Sequence, residues 1–264
     1  MHAKQLLIKS ILTPLISALL VIFAAVALLL PSGRPREDEA ALATGKTYMK
    51  ALEGRDASAV DRDIRMRVSM EALEGMDLWE KLNYFDTYIM GDSRTGLFIW
   101  SGITPEHVWA ETSTTIKFIE ENIDLIRESR PGNLVLSFGM NDLGMYEFDP
   151  DNYWETAQDY VEAYRYYIDM IREASPETNI YINCIIPALD AGIERQPRWA
   201  LVPEWNEALR QFCESYDVGY IDVAFIADEY GDYFEDDGVH FYLQAALDDW
   251  AQAILDAIEE KEFG

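Results

Sequence analysis

Ile180 to Ile186 reads Ile-Tyr-Ile-Asn-Cys-Ile-Ile, a nearly continuous apolar run. A strand is apolar on both sides only when both faces of its sheet are covered, which points to a parallel sheet between two helical layers. The surrounding pattern agrees. Thr87-Tyr88-Ile89-Met90 reads as a strand ending at Gly91. Ile116, Ile119, Ile123 and Ile126 recur at helical spacing, with Ser113 or Thr114 placed to cap that helix and Pro131-Gly132-Asn133 placed to stop it. Leu134 to Phe138 is the next strand, and Tyr153 to Ala174 a long helix carrying Ala157, Val161, Tyr164, Ile168 and Ile171 on one side. Trp205, Leu209 and Phe212 mark a further helix, Val218 to Val223 a strand, and Leu243 to Ile258 a last helix. Strands alternating with helices predict a doubly wound α/β sandwich.

The pattern begins only at Asp86. Upstream, Ile11 to Leu30 carries no charge and shows no polar face. About 20 such residues span about 30 Å as a helix, the thickness of a bilayer's hydrocarbon core. The nearest Ala-x-Ala pattern, Ala41-Leu42-Ala43, is separated from the apolar run by Pro31, Arg34, Arg36, Glu37 and Asp38. That spacing favours an uncleaved anchor over a removed signal peptide. Lys4 and Lys9 before the span nearly balance Arg34 and Arg36 after it, so the short N-terminus and the large domain that follows set the expected orientation, with the domain outside. Pro31 to Glu39 is a polar linker, and Ala40 to Leu82 is helical in pattern, with Gly54 and Gly75 as breaks.

The chain of 264 residues carries a formal net charge of −27, and leaving out Lys4 and Lys9 makes the rest more acidic still. Such a field repels nucleic acid and anionic head groups. Cys184 and Cys213 allow at most one bridge. Cys184 lies in an apolar run and Cys213 on a helical pattern, which favours buried free thiols, although an exported domain would permit a disulfide. No Cys/His cluster suggests a metal, and no P-loop or dinucleotide fingerprint suggests a cofactor.

Open α/β sheets place their sites at the carboxyl ends of strands. Three polar clusters lie where that rule directs attention: Gly91-Asp92-Ser93 after the first strand, Gly139-Met140-Asn141-Asp142 after the strand at Leu134, and Asp237-Gly238-Val239-His240 before the last helix. In this order they resemble blocks one, three and five of the SGNH (GDSL-like) hydrolases. Gly102, in Ser101-Gly102-Ile103-Thr104, is similar to the glycine of block two. The resemblance spans roughly Asp86 to Ile258. It implies a flavodoxin-like three-layer sandwich, a Ser-His-Asp triad, and hydrolysis or transfer of acyl esters without a metal. Arg94 departs from the pattern, since the family name carries leucine there.

The residues support the same chemistry independently. A serine hydroxyl attacks only when a base takes its proton. Of the three histidines, His2 precedes the apolar span, and His107 sits in Pro105-Glu106-His107-Val108-Trp109, a helix-start pattern without an acidic partner. His240 follows Asp237 by three residues, with Gly238 between, so the carboxylate can turn back to orient the imidazole. The expected roles are Ser93 as nucleophile, His240 as base and Asp237 as its orienting acid. The backbone N–H of Ser93, the backbone N–H of Gly102 and the side-chain amide of Asn141 are the expected oxyanion donors. Asp92 and Asp142 are expected to brace the loops, and Arg94 to contact a polar substrate group or form an internal ion pair. Gly91 to Gly96 is one residue too long for a G-x-S-x-G elbow.

The expected organisation is an anchor at 1–30, a linker and helical stalk or cover at 31–85, and the hydrolase domain at 86–264. The expected activity is cleavage of short acyl esters, O-acetyl first, on small molecules or cell-envelope glycans. An O-acyltransferase using the same triad is the alternative, with Arg94 and the loop Arg195-Gln196-Pro197-Arg198-Trp199 binding an acceptor. A non-catalytic binding domain is the alternative from another class.

Overall fold

The computed structural model describes residues 46, 47, 50 and 57–264. The expected membrane span at Ile11–Leu30 and the linker at Pro31–Glu39 lie outside the described residues. Among the described residues, no helix is long and apolar enough to cross a membrane. Met66–Gly264 forms one compact unit; the described part of the preceding unit, Met1–Arg65, includes the start of helix α1 (Ala57–Leu73).

Five parallel strands make the sheet: β1 (Thr87–Gly91), β2 (Val108–Ala110), β3 (Asn133–Ser137), β4 (Asn179–Asn183) and β5 (Gly219–Ile221). Their order is β2-β1-β3-β4-β5. The chain therefore leaves β1 toward one side of the sheet and returns for β3 on the other. Loops diverge at such a switch point and open a crevice at the strands' carboxyl ends.

Strand residues alternate between two cores. Met90, Leu134, Leu136, Ile180 and Ile182 face one helical layer, whereas Ile89, Val135 and Tyr181 face the other. The first layer includes α4 (Ile123–Ser129), α6 (Ala157–Ala174) and α8 (Val202–Tyr216), which bring Ile126, Tyr164, Ile168 and Leu209. The second includes α2 (Leu78–Tyr84) and α10 (Gln244–Phe263), which bring Leu82, Trp250 and Ile254. This is the three-layer sandwich expected from the sequence. Cys184 packs in one core and Cys213 in the other, both as free thiols.

The compact unit starts upstream of Asp86. Asp77 caps α2 reciprocally with Glu80, and Leu82 of that helix is fully buried. Lys81 pairs with Glu259 of α10 at 3.3 Å.

Several elements differ from expectation. His107 ends a short 3₁₀ turn, Pro105–His107, that leads directly into β2, so no helix starts there. Neither Ser113 nor Thr114 caps the next helix. Ser113 adopts φ +63, and α3 (Phe118–Glu121) starts without a side-chain cap. The helix expected through Ile126 breaks at Asn122, where α3 gives way to α4. The long helix α6 begins at Ala157 instead of Tyr153, because Thr156 and Asp159 form a capping box. β4 ends at Asn183; beyond it the Asn206 side chain takes both the N–H and the carbonyl of Ile185, each at 2.8 Å, in place of a neighbouring strand.

Candidate active site

β1 ends at Gly91, and the chain turns into a 3₁₀ helix, Thr95–Trp100, with Ser93 on the turn. Asp92 is buried, and its Oδ1 accepts the backbone N–H of Arg94 at 3.0 Å, which folds the turn around Ser93. Arg94 is also buried. Its guanidinium donates to the Ile186 carbonyl at 2.9 Å and lies 3.6 Å from Asp92 Oδ2. Arg94 borders the cleft, but its charge is engaged inside the protein, so of the two roles expected for it the structure shows the internal ion pair. The contact ties the Ser93 turn after β1 to the loop after β4.

Asp237 to His240 sits between α9 (Phe225–Glu229) and α10. Gly238 has φ +70, and a Cβ there would lie 2.5 Å from the Gly192 nitrogen in helix α7 (Asp190–Arg195). Both the left-handed backbone and the close approach require glycine. The Gly238 carbonyl accepts from Leu189 N–H at 2.8 Å, which docks the turn on the start of α7. Within the turn, Asp237 Oδ1 accepts the backbone N–H groups of Val239 (2.8 Å) and His240 (3.0 Å). Asp237 Oδ2 lies 2.6 Å from His240 Nδ1, and His240 Nε2 lies 2.8 Å from Ser93 Oγ.

With Nδ1–H donating to Asp237, Nε2 is the nitrogen that accepts the Ser93 hydroxyl proton, the arrangement that makes a serine nucleophilic. Burial pushes the Asp237 carboxyl upward, but the hydrogen bonds from the His240 side chain and backbone and from Val239 outweigh it and hold it at about 2. Asp237 is thus an anion throughout the neutral range. Asp236 is exposed, and its carbonyl accepts from Arg195 at 2.8 Å.

Asn141 lies in the first turn of α5 (Met140–Met145), after β3 and across the switch point from Ser93. Its Nδ2 donates to the Thr114 carbonyl at 2.9 Å, leaving the second amide N–H. Thr114, on the loop after β2, is a contact that sequence reasoning missed. The adjoining Asp142 is fully buried, with Oδ1 accepting Ile116 N–H at 3.1 Å. Desolvation raises its carboxyl to about 7, assisted by the charge of Asp92 and opposed by hydrogen bonds from the backbone of Ile116, Asp142 and Gly139.

Ser93, Asn141, Asp237 and His240 line one cleft of about 120 Å³. Met140, Val239, Trp199 and Arg195 contribute further wall. Met140 and Val239 were not anticipated, although each lies inside a motif. Trp199 Nε1 is fixed to the Met140 carbonyl at 2.8 Å, and Arg198 donates to the carbonyls of Leu143, Trp154 and Glu155.

Gly102 is not brought to this cleft. It is exposed, its carbonyl accepts from Asn83 at 2.9 Å, and a Cβ there would lie 2.5 Å from the Trp79 side chain. The glycine lets the turn pass over Trp79 of α2, and the structure gives it no place beside Ser93. His107 stacks on Tyr88 with ring centroids 3.8 Å apart, away from the cleft lining. Among the described residues, no cluster of three or more His, Cys, Asp or Glu side chains is arranged to hold a metal ion.

The profile of the GDSL-like lipase/acylhydrolase family matches residues 107–245, a segment that holds Asn141, Asp237 and His240 and begins beyond Ser93. A solved structure described as a GDSL-like lipase from Parabacteroides merdae is similar with a TM-score of 0.53 at 16% identity, covering 65% of this chain and 94% of that one. A structure described as an acylhydrolase from Bacteroides fragilis is similar at 0.49 and 15% identity, over 67% of this chain and 87% of that one. A carbohydrate esterase family 3 protein from Talaromyces cellulolyticus gives 0.49 at 17% identity, over 67% and 97%. No match was found among curated proteins. The family profile spans more than half of the sequence and the Parabacteroides protein shares its fold; this chain belongs to the GDSL-like lipase/acylhydrolase family.

Proposed function

We propose that this serine ester hydrolase removes short acyl groups, acetyl first, from hydroxyls of cell-envelope glycans. The observation that carries the chemistry is the continuous hydrogen-bonded line Ser93–His240–Asp237, at 2.8 and 2.6 Å. Ser93 Oγ attacks the ester carbonyl as His240 Nε2 takes its proton. The negative oxygen of the tetrahedral intermediate is met by the Ser93 backbone N–H and the free N–H of Asn141. His240 then protonates the departing alcohol, leaving acyl-Ser93. Water attacks that ester with His240 again as base, and release of the acid restores the serine.

The size of the cleft supports a short acyl group: about 120 Å³ is small beside the roughly 300–1,000 Å³ of pockets that enclose drug-sized ligands. The mixed lining, with Arg195 and Asn141 beside Met140 and Val239, suits a polar ester. The apolar segment Ile11–Leu30 supports a membrane-held enzyme with its domain on the outer side, where envelope glycans lie.

The test is an acyl-chain series, p-nitrophenyl acetate through octanoate, with products analysed with and without a glycan acceptor. Turnover that falls steeply beyond butyrate and releases free acid supports the reading. Acyl transfer to the acceptor would make the enzyme an O-acyltransferase, and a preference for octanoate would reject the short-acyl assignment. Reporter fusions at the C-terminus that read as cytoplasmic would reject the envelope location.

A further inference from the structure

Beyond the catalytic cleft, a second concavity of about 170 Å³ is lined by Leu97, Trp100, Tyr242, Leu243, Gln244 and Leu247. Both of its walls continue from the elements that carry the reactive residues. Leu97 and Trp100 lie on the 3₁₀ helix that starts two residues after Ser93, and a three-residue separation puts them on one face of such a helix. On the other wall, Val239 and Phe241 are buried while His240 and Tyr242 are not, the alternation of extended chain. Tyr242 therefore faces the same way as His240. Two residues of extended chain cover at most about 7 Å, so it stands next to the base.

Trp100 is 84% exposed and Tyr242 69% exposed. A lone exposed aromatic is ordinary on a protein surface, but two on the rim of one groove beside a nucleophile form a platform. Trp and Tyr combine a large apolar face with a polar edge. A pyranose ring has the complementary form, with a face of C–H groups and a rim of hydroxyls. Gln244 donates its amide to Asp248 at 2.7 Å, which holds its side-chain oxygen as an acceptor for such a hydroxyl. None of the groove's lining side chains is charged, and a net charge of −27 repels polyanions. The exposure of both rings suits a ring lying flat better than an alkyl chain, which gains most from an enclosed tube.

We propose that this groove is a subsite for a pyranose unit of a neutral glycan, stacked on Trp100 and Tyr242, and that it holds the alcohol side of the ester whose acyl group enters the cleft at Ser93. The second half of this statement rests on the proposed function, whereas glycan binding in the groove does not.

The probes are cellotetraose, its mono-O-acetylated form, and p-nitrophenyl acetate and octanoate. Cellotetraose should shift the tryptophan emission of the full-length protein to the blue as the ring shields Trp100. Trp100→Ala should abolish that shift, and Trp100→Phe should retain binding measured by calorimetry. Trp100→Ala and Tyr242→Ala should each lower kcat/KM for the acetylated tetraose about tenfold more than for p-nitrophenyl acetate, the range typical of a buried aromatic contact. Phe148→Ala, which removes an exposed aromatic outside both concavities, should change neither ratio nor binding. Equal losses on both esters, or no binding of cellotetraose, would overturn the proposal. Selective loss on the octanoate would make the groove an acyl-chain site, and loss of a dimer in Trp100→Ala would make it a self-interface; either overturns it. If the parent cleaves no ester yet binds cellotetraose, the functional reading fails and the glycan groove stands.

Discussion

The Asn141 side chain donates to the Thr114 carbonyl at 2.9 Å and so joins the start of α5 to the loop after β2. One amide proton is committed to the protein, and this fixes the direction of the other. A donor held this way meets a carbonyl oxygen best once that oxygen has become tetrahedral and negative. Asn141→Ala should lower kcat by about 10²–10³ with KM little changed, the loss typical of one oxyanion donor. Steady-state kinetics and a melting curve on the same variant check this. A KM effect with kcat intact would remove Asn141 from the oxyanion hole.

Arg94 and Asp92 form a buried pair whose arginine also holds the Ile186 carbonyl. Removing one member of a buried pair leaves the other charge unpaired, at about 3–5 kcal/mol. Arg94→Ala should lose stability on that scale in urea unfolding, with a matching loss of turnover as the Ser93 turn loosens. Full stability with a selective rise in KM would return Arg94 to substrate binding.

Asp142 gives a pH signature. Burial holds its folded carboxyl near 7 against an ordinary value of 3.8, so the folded state keeps a proton that the unfolded chain releases. Stability from this group is full below pH about 4 and falls as pH rises toward about 7. Asp142→Asn keeps an oxygen for Ile116 N–H and carries no proton to lose. Its urea midpoint should fall less than the parent's between pH 4 and 8. Parallel profiles for the two proteins would contradict the assignment.

The carboxylate bonded to the His240 ring is that of Asp237, at 2.6 Å, and not that of its neighbour. Asp237→Asn retains a side chain of the same size but disfavours the tautomer with Nδ1 protonated, and turnover should fall by roughly 10⁴. Asp236→Asn should remain within a few-fold of the parent, because only the Asp236 backbone is engaged, with Arg195. Initial rates on p-nitrophenyl acetate for the two variants separate the registers.

The three-layer fold and the Asp237–His240 pair were legible because each depends on local sequence, whereas Ser93, 147 residues from His240, was legible through the order of the motifs at the strand ends. The apolar run at Ile180 announces a covered strand, and Asp237 reaches His240 through a three-residue turn. What was misread depends on partners distant in sequence. A Ser-Gly turn at Gly102 looks the same whether it faces a nucleophile or passes over Trp79. The apolar run continues to Ile186, but sheet pairing ends short of it: Cys184 N–H still reaches the Ile221 carbonyl, and Asn206 takes up the backbone groups of Ile185. β2 has three residues, too few for a period. Ser113 and Thr114 resemble helix caps, yet the backbone just ahead of that helix is held instead by Asp142, at Ile116 N–H, and by Asn141, at the Thr114 carbonyl.

The central claim is that Ser93 is the nucleophile, and Ser93→Ala tests it most directly. The hydroxyl is half-buried and bonded only to His240, so its removal should leave the melting temperature within a few degrees of the parent's. Triad members act as a unit, and the initial rate on p-nitrophenyl acetate should fall by about 10⁴ or more. A folded Ser93→Ala protein that retains activity within about tenfold of the parent would contradict the account, since loss of a triad nucleophile costs orders of magnitude more.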